Sequence, residues 1–217
     1  LLYTIFGERE IAEFFNIKMS SFARISRNVV FSVFSLENKI VNIRDTRFRQ
    51  TFLAPIYISS DQNLQSLNKF STITEKNGKL EIDSCIFDKC RSAKSGGAIY
   101  VENTTVFISS SIFDKSKTMD SGGAIFAERC SECVIEETLF QKNFAHHTSP
   151  TVHSVMAFQL NVTQCNITED LSEQRCGSVA LINTDQAFFD NCQFFNNSGE
   201  ILGAIRATSG ITELRWS

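Results

Sequence analysis

The sequence predicts an all-β protein that folds as a right-handed parallel β-helix of about seven to eight coils, with 26–27 residues in each coil. Three observations predict this fold: a motif that repeats along the chain, apolar residues that alternate at a spacing of two, and turn-forming residues between the apolar stretches. A repeat of this length is typical of solenoids, because one short coil cannot bury its apolar face alone. Stacked coils bury a continuous core.

The clearest repeat lies between residues 80 and 143. Ile-Phe-Asp-Lys occurs at 86–89 and again at 112–115, and each copy is followed by Gly-Gly-Ala-Ile, at 96–99 and 122–125. A third copy, Leu-Phe-Gln-Lys-Asn at 139–143, lacks the double glycine. Alignment of the chain on the phenylalanine of this motif gives one residue per coil in a core ladder: Phe22, Phe48, Phe87, Phe113, Phe140, Ile167 and Phe194.

The residues around each ladder position keep the same character from coil to coil. Leu80 and Ile82 precede Phe87 at distances of seven and five residues, and the same columns are mostly apolar in the other coils. Because side chains two residues apart lie on one face of a strand, these columns and the ladder should face the core. We expect the rings of Phe87, Phe113 and Phe140 to stack. Further apolar stretches and Ser, Asn, Asp, Lys and Gly between them predict additional strands and turns.

Glycines and length differences indicate where the coils turn and where they are interrupted. We expect the repeat glycines where the chain needs a positive φ or where two coils approach closely. The interval of 39 residues from Phe48 to Phe87 predicts an insertion loop around residues 62–79. Residues 1–15 are expected to fit no coil and to form an N-terminal cap or lead-in, with a short amphipathic helix over Glu8–Phe15. The repeat glycines are Gly96, Gly97, Gly122, Gly123 and Gly203.

Two short motifs resemble those of a known repeat family. Gly-Gly-Ala-Ile at 96–99 and 122–125, with Phe-x-x-Asn at 140–143 and 194–197, resembles the polymorphic outer membrane protein (Pmp-like) repeats of chlamydial autotransporters and of protist surface proteins. The resemblance in these motifs covers residues 80–209, whereas residues 16–60 match the family only in their column pattern. Cys90 and Ser116 stand where the family has Asn. The resemblance implies a parallel β-helix over residues 16–217, as a segment of a longer protein.

The same resemblance implies a function without catalysis. We expect a surface-exposed module for adhesion or display, at the cell surface or outside the cell, with a protein partner or a host-surface ligand. Neither an enzyme activity nor a cofactor is expected. Nucleic acid is not an expected partner, because the net charge is −3 and there is no basic surplus. A membrane span is not expected either, since no apolar run reaches about 18 residues.

Two alternatives stay open at this stage. The chain could be a structural scaffold rod in a larger assembly inside the cell. It could also be a polysaccharide lyase or hydrolase, because Asp88 and Asp114 occupy one column of adjacent coils, ~5 Å apart at the backbone. However, Lys89 and Lys115 follow these aspartates, and a salt-bridged turn explains the pattern at least as well.

The seven cysteines favour a reduced core over a disulfide framework, because an odd number cannot pair completely. Cys85, Cys165 and Cys192 fall in a small-residue column facing the core, where a thiol behaves as a small apolar side chain. At most one disulfide is expected, between Cys165 and Cys192, and Cys85 should be a free thiol. Cys130-x-x-Cys133 lacks the second pair that a structural zinc site requires, so no metal is expected.

One outward column is unexpectedly apolar in three successive coils. The position before each ladder residue should point away from the core by strand alternation. A second outward column, six residues before the ladder, adds two apolar residues in the same coils. Monomers seldom expose contiguous apolar surface, so we expect a contact surface for a partner or for lateral self-association. The alternative is that the chain bends and turns this column inward. This partner stripe comprises Ile86, Ile112, Leu139, Phe107 and Val134.

The remaining polar features are four sequons, which permit glycosylation but do not argue for it, and three histidines. Four Asn-x-Ser/Thr sequons permit N-glycosylation if the chain is secreted. They begin at Asn103, Asn161, Asn166 and Asn196. The three histidines are expected in a surface loop of the third repeat, and they are His146, His147 and His153.

Overall fold

The computed structural model describes residues 3–5, 14–18, 21–23, 31–33, 40–51, 56–58 and 78–215. These residues form an all-β parallel solenoid, and none of them belongs to a helix. The uninterrupted range 78–215 comprises about five turns, fewer than the predicted seven to eight, and the preceding coils are represented by separate strands. The predicted parallel β-helix is therefore confirmed, while its right-handedness stays a prediction. No helix suited to crossing a membrane occurs in the described ranges.

Each coil contributes strands to parallel sheets that run along the solenoid. The first sheet contains eight strands in chain order: β1 (Tyr3–Ile5), β4 (Phe31–Val33), β7 (Ile56–Ile58), β11 (Ile99–Glu102), β15 (Ile125–Glu128), β19 (Val152–Val155), β23 (Val179–Ile182) and β26 (Ile205–Ala207). The second also contains eight: β2 (Phe14–Lys18), β5 (Ile40–Arg44), β8 (Gly78–Asp83), β12 (Thr104–Ser109), β16 (Glu132–Glu136), β20 (Gln159–Thr163), β24 (Gln186–Asp190) and β27 (Ile211–Arg215).

The third sheet is built from three-residue strands that carry the core ladder. Its seven strands are β3 (Ser21–Ala23), β6 (Arg47–Arg49), β9 (Ile86–Asp88), β13 (Ile112–Asp114), β17 (Leu139–Gln141), β21 (Asn166–Thr168) and β25 (Gln193–Phe195). A fourth, shorter sheet follows, with β10 (Arg91–Ser92), β14 (Lys117–Thr118), β18 (Phe144–Ala145) and β22 (Leu171–Ser172).

The core ladder runs through the third sheet in the predicted register. The ring centroids are 4.9 Å apart for Phe48 and Phe87, 4.6 Å for Phe87 and Phe113, and 4.9 Å for Phe113 and Phe140. All four rings are fully buried, and Ile167 extends the buried column. Phe194 continues it but is only partly buried, and Phe22 pairs with Phe48 through the backbone register. Each stacked aromatic pair contributes about 0.5–1.5 kcal/mol beyond the contribution of burial, so the ladder stabilises the packing of successive coils.

Sharp corners on both sides of the ladder strands explain why these strands are so short. Ser110 and Lys115 flank β13, and both have a positive φ, 46° and 54°. Glu137 and Lys142 flank β17 in the same way, with φ of 47° and 55°. The left-handed conformation costs non-glycine residues roughly 1–2 kcal/mol. The packing of the coils must therefore stabilise these corners.

The two glycines of each repeat have different roles. Gly122 has a φ of +71°, so it supplies a backbone conformation that other residues adopt only with strain. Gly123 instead lies against the next coil, where a Cβ atom would be 2.5 Å from the carbonyl oxygens of Phe144 and Pro150. The double glycine thus combines a local turn with a close contact between coils.

The N-terminal expectations need correction. Strand β1 pairs with β4, so Tyr3–Ile5 belongs to a coil although residues 1–15 were expected to fit none. Phe14 and Phe15 lie in β2 and pair with Ile40 and Val41, so the helix predicted over Glu8–Phe15 is wrong for these two residues. The rest of that helix lies outside the described residues. The predicted insertion loop ends before residue 78, because β8 begins at Gly78, and residues 62–77 are likewise outside the described ranges.

Candidate functional site on the outer face

The partner stripe lies on the outer faces of the second and third sheets. In β13, Ile112 is half-buried whereas the adjacent Phe113 is fully buried, and β9 and β17 show the same alternation at Ile86 and Leu139. This alternation disfavours the inward-facing alternative, and the contact role of the stripe stays a prediction. The side chains are nevertheless half-buried, not fully exposed.

Register explains both the continuity of the stripe and its partial burial. Ile112 is the strand partner of Ile86 on one side and of Leu139 on the other. In the second sheet, Phe107 and Val134 are partners in the same manner. Because neighbouring strands lie about 4.8 Å apart, each apolar side chain covers the flank of the next. Only the outer edge of each column of side chains therefore stays accessible to water.

A lysine shields one end of the stripe. Lys79 Nζ lies 4.4 Å from the centroid of the Phe107 ring, and the same atom lies 2.5 Å from Glu81 Oε1. A cation over an aromatic face is attracted by the ring quadrupole, and the ion pair holds the lysine in place. At the other end, the half-buried Phe188 resumes the apolar column beyond Asn161. The sequence did not predict Phe188 as part of the stripe, because the residue before the ladder in its coil is the polar Gln193.

A second aromatic column, on the outer face of the first sheet, was also missed. The rings of Tyr100 and Phe126 are 5.3 Å apart and nearly parallel, and Phe126 and His153 follow at 5.2 Å. The signal in the sequence is the aromatic residue directly after Gly-Gly-Ala-Ile in both complete copies. His153 had no such signal, because Pro150-Thr151-Val152 replaces the glycine motif in its coil.

The prediction that His153 lies in a surface loop is wrong. It belongs to β19, is only 5% exposed, and its Nδ1 atom has no hydrogen-bond partner. Burial disfavours the charged imidazolium and lowers the pKa of His153 to about 4, although Asp120 opposes this shift. The imidazole is thus an uncharged member of the aromatic column at neutral pH.

The other two histidines do lie in a bend at the surface. His147 is exposed and His146 half-buried. His146 Nδ1 lies 2.5 Å from Glu173 Oε2, and His147 Nδ1 lies 2.7 Å from Gln174 Oε1. Each histidine contacts the next coil, so both help to fix the turn.

A buried polar column lies three residues after the core ladder. Asn143 donates from Nδ2 to the Phe113 carbonyl oxygen at 3.1 Å, and Asn197 donates likewise to Ile167 at 2.8 Å. Between them stands Asp170, fully buried, whose carboxyl group accepts hydrogen bonds from the Asn143 backbone N–H at 2.8 Å and from the Thr151 hydroxyl. Burial raises the pKa of Asp170 to about 7, and these hydrogen bonds oppose the shift.

The aspartates considered for sugar cleavage are engaged in ion pairs. Asp88 lies 3.2 Å from Arg49 Nε and 3.9 Å from both Arg47 and Lys89. Asp114 lies 3.0 Å from Lys115 Nζ. This geometry matches the salt-bridged turn that the sequence also predicted. Nothing in it favours a pair of carboxylates that work on either side of a glycosidic bond.

All seven cysteines are buried and have free thiols. Burial raises the pKa of Cys85 to about 11 and that of Cys130 to about 12, so these thiols are weak nucleophiles at neutral pH. Cys133 is fully buried beside Cys130. Within the described ranges, no three His, Cys, Asp or Glu side chains come together in a way that could hold a metal ion.

The four sequons differ in accessibility. Asn166 and Asn196 are exposed, whereas Asn103 and Asn161 are half-buried. Asn161 is the strand partner of Val134, and Asn166 is the partner of Leu139. Two of the sequons therefore border the partner stripe at one end.

The chain matches no protein-family model, and neither a curated protein nor a solved structure is similar enough to count as a match. The likeness to Pmp-like repeats consequently rests on the motifs alone.

Proposed function

We propose that the chain is a non-enzymatic, surface-exposed β-helix module for adhesion or display, which contacts a protein partner or a host-surface ligand through the partner stripe. The observation that carries this proposal is the stripe itself. Five apolar side chains on two neighbouring outer columns remain outside the core of a tightly packed solenoid. Contiguous apolar surface of this kind commonly marks an interaction site. The Pmp-like motifs support the location at a cell surface.

The free thiols favour a second candidate, a structural rod inside the cell. Secreted domains usually carry disulfides because they fold in an oxidising environment, whereas intracellular proteins keep their thiols reduced. Seven buried free cysteines fit the second environment better. The same stripe would then be a lateral contact within a larger assembly.

Labelling of intact and permeabilised cells separates these two candidates. An antibody against the chain is applied to cells that produce the protein, before and after permeabilisation. A surface module should give equal signals in both conditions. A signal that appears only after permeabilisation would overturn the surface proposal and leave the intracellular rod.

Substitution in the stripe tests the contact. Ile112→Lys places a charge at the centre of the stripe, and Asn166→Lys places the same charge at an exposed position of the same column. Sedimentation equilibrium measures self-association, and flow cytometry measures binding of the purified chain to cells. We expect Ile112→Lys to weaken association at least tenfold with little change in melting temperature, and Asn166→Lys to have little effect. Equal association of both variants and wild type would refute the role of the stripe.

A further inference from the structure

Cys165 and Cys192 occupy equivalent positions in adjacent coils. Thr163 pairs with Asp190 on one side of them, and Asn166 pairs with Gln193 on the other. Their thiols point the same way. Cys165 Sγ lies 3.6 Å from the Ile135 carbonyl oxygen, and Cys192 Sγ lies 3.3 Å from the equivalent oxygen of Val162. The two sulfur atoms therefore stack along the solenoid, one coil apart.

The rest of this small-residue column offers no second pair among the described residues. Cys85 has Thr46 and Ser111 as its neighbours, and Thr138 precedes Cys165. These neighbours carry hydroxyl groups, which cannot form disulfides. Cys165 and Cys192 are thus the only thiols stacked next to each other in this column of the described coils.

The backbone geometry suits a covalent bond between them. Adjacent strands lie about 4.8 Å apart, which is inside the range of about 4.4–6.8 Å that Cα atoms of disulfides span. A rotation of each side chain away from its carbonyl acceptor would bring the sulfur atoms together. The closeness of the two thiols also affects their acidity, because Cys165 lowers the pKa of Cys192, while Cys192 and burial together raise the pKa of Cys165.

We propose that Cys165 and Cys192 form a redox site. A small-molecule disulfide such as glutathione disulfide oxidises the two thiols, and they form a disulfide between neighbouring coils. The Cys192 thiolate attacks one sulfur of the oxidant, forms a mixed disulfide and releases one glutathione thiolate. The Cys165 thiol then loses its proton and attacks Cys192 Sγ, and the second glutathione leaves. Two protein thiols are oxidised, and one glutathione disulfide is reduced to two glutathione molecules.

The position of the site suggests what the bond would do. Cys192 directly precedes β25, whose ladder residue Phe194 is only partly buried and whose Phe195 is 69% exposed. This coil is less well covered than those below it. A disulfide to the preceding coil would restrict its unfolded states and hold it in place. Opening of the same coil would give the oxidant access to Cys192, which is 6% exposed in the closed form.

Thiol counting after oxidation tests the proposal. The reduced 217-residue chain is incubated with glutathione disulfide at pH 8, denatured, alkylated and analysed by mass spectrometry. We expect the seven thiols to fall to five and a digest to contain the peptide pair joined at Cys165 and Cys192. The melting temperature should rise by about 5–10 °C on oxidation.

Serine variants supply the controls, since Ser already occupies this column at Ser111. Cys192→Ser should keep its remaining thiols free, whereas Cys165→Ser should stop at the mixed disulfide of Cys192 with glutathione. Neither variant should contain the joined peptide pair or show a rise in melting temperature. Cys85→Ser should still form the bond. Seven free thiols in the oxidised wild type, or a bond that joins other cysteines, would overturn the proposal.

Discussion

Replacement of Asp170 by Asn should stabilise the protein, and the effect should depend on pH. Asn143 and Asn197 each donate a side-chain hydrogen bond to a ladder carbonyl oxygen of the preceding coil. The equivalent oxygen for residue 170 is that of Phe140. An ionised carboxylate has no hydrogen to donate, whereas the Asn side chain has two. Asp170→Asn therefore removes a buried charge and restores the hydrogen bond of the column.

The pKa of Asp170 gives the size of the effect. Burial raises it from 3.8 to about 7, and each unit corresponds to about 1.4 kcal/mol of free energy of unfolding. Ionisation of Asp170 should thus cost on the order of 4 kcal/mol above pH 7. A raised carboxyl pKa means that the folded state binds more protons than the unfolded state between these values. The contribution of Asp170 to the free energy of unfolding of wild type is therefore fully present below about pH 4, and it is lost as the pH rises to about 7.

Urea unfolding of wild type and Asp170→Asn from pH 4 to pH 8 measures this. The two proteins should differ little at pH 4, and the variant should be more stable by a few kcal/mol at pH 8. The difference between the proteins is the useful quantity, because His153 titrates in the opposite direction over part of the same range. Asp185→Asn removes an exposed carboxyl group and should change little.

The reverse substitution provides a second control. Asn143→Asp introduces a carboxylate next to Asp170 and should lower the free energy of unfolding at pH 8. If the curves of wild type and Asp170→Asn are parallel from pH 4 to pH 8, the explanation from a buried charge is refuted.

Three further predictions concern the packing of the coils. Phe113→Ala should lower the free energy of unfolding by about 3–5 kcal/mol through the cavity that it leaves, whereas Phe195→Ala, at an exposed ring, should cost little in the same urea titration. Gly123→Ala should lower the free energy of unfolding by about 3 kcal/mol, because the added Cβ would lie 2.5 Å from two backbone oxygens. Gly203→Ala should lower it less, because the nearest contact of its Cβ is at 2.9 Å. Equal losses in the two variants would contradict this explanation. Wild type should lose on the order of 3 kcal/mol of unfolding free energy as the pH falls from 6.5 to about 4, because the buried imidazole of His153 must then become charged. His153→Phe should remove this loss. Melting curves at pH 4 and pH 7 check this, and an unchanged pH dependence in the variant would contradict it.

The sequence determined the columns of this protein because the relevant interactions are local or repeat with a fixed period. Strand alternation decides that Phe113 and Ile112 face opposite sides, and the repeat of 26–27 residues places Phe87, Phe113 and Phe140 in one register. Turn chemistry likewise indicates where a strand ends. The fold and the core ladder could therefore be predicted from the order of residue types alone.

The remaining features depend on neighbours that are distant in sequence, and only the tertiary structure decided them. The partner stripe is half-buried because adjacent coils and Lys79 cover parts of it. The His153 side chain is shielded from solvent because it stacks on Phe126 of the preceding coil. The pKa of Asp170 is raised because the surrounding coils bury its carboxyl group, although hydrogen bonds from Asn143 and Thr151 oppose the shift. Each of these depends on solvent exclusion by several coils at once, which no single stretch of sequence encodes.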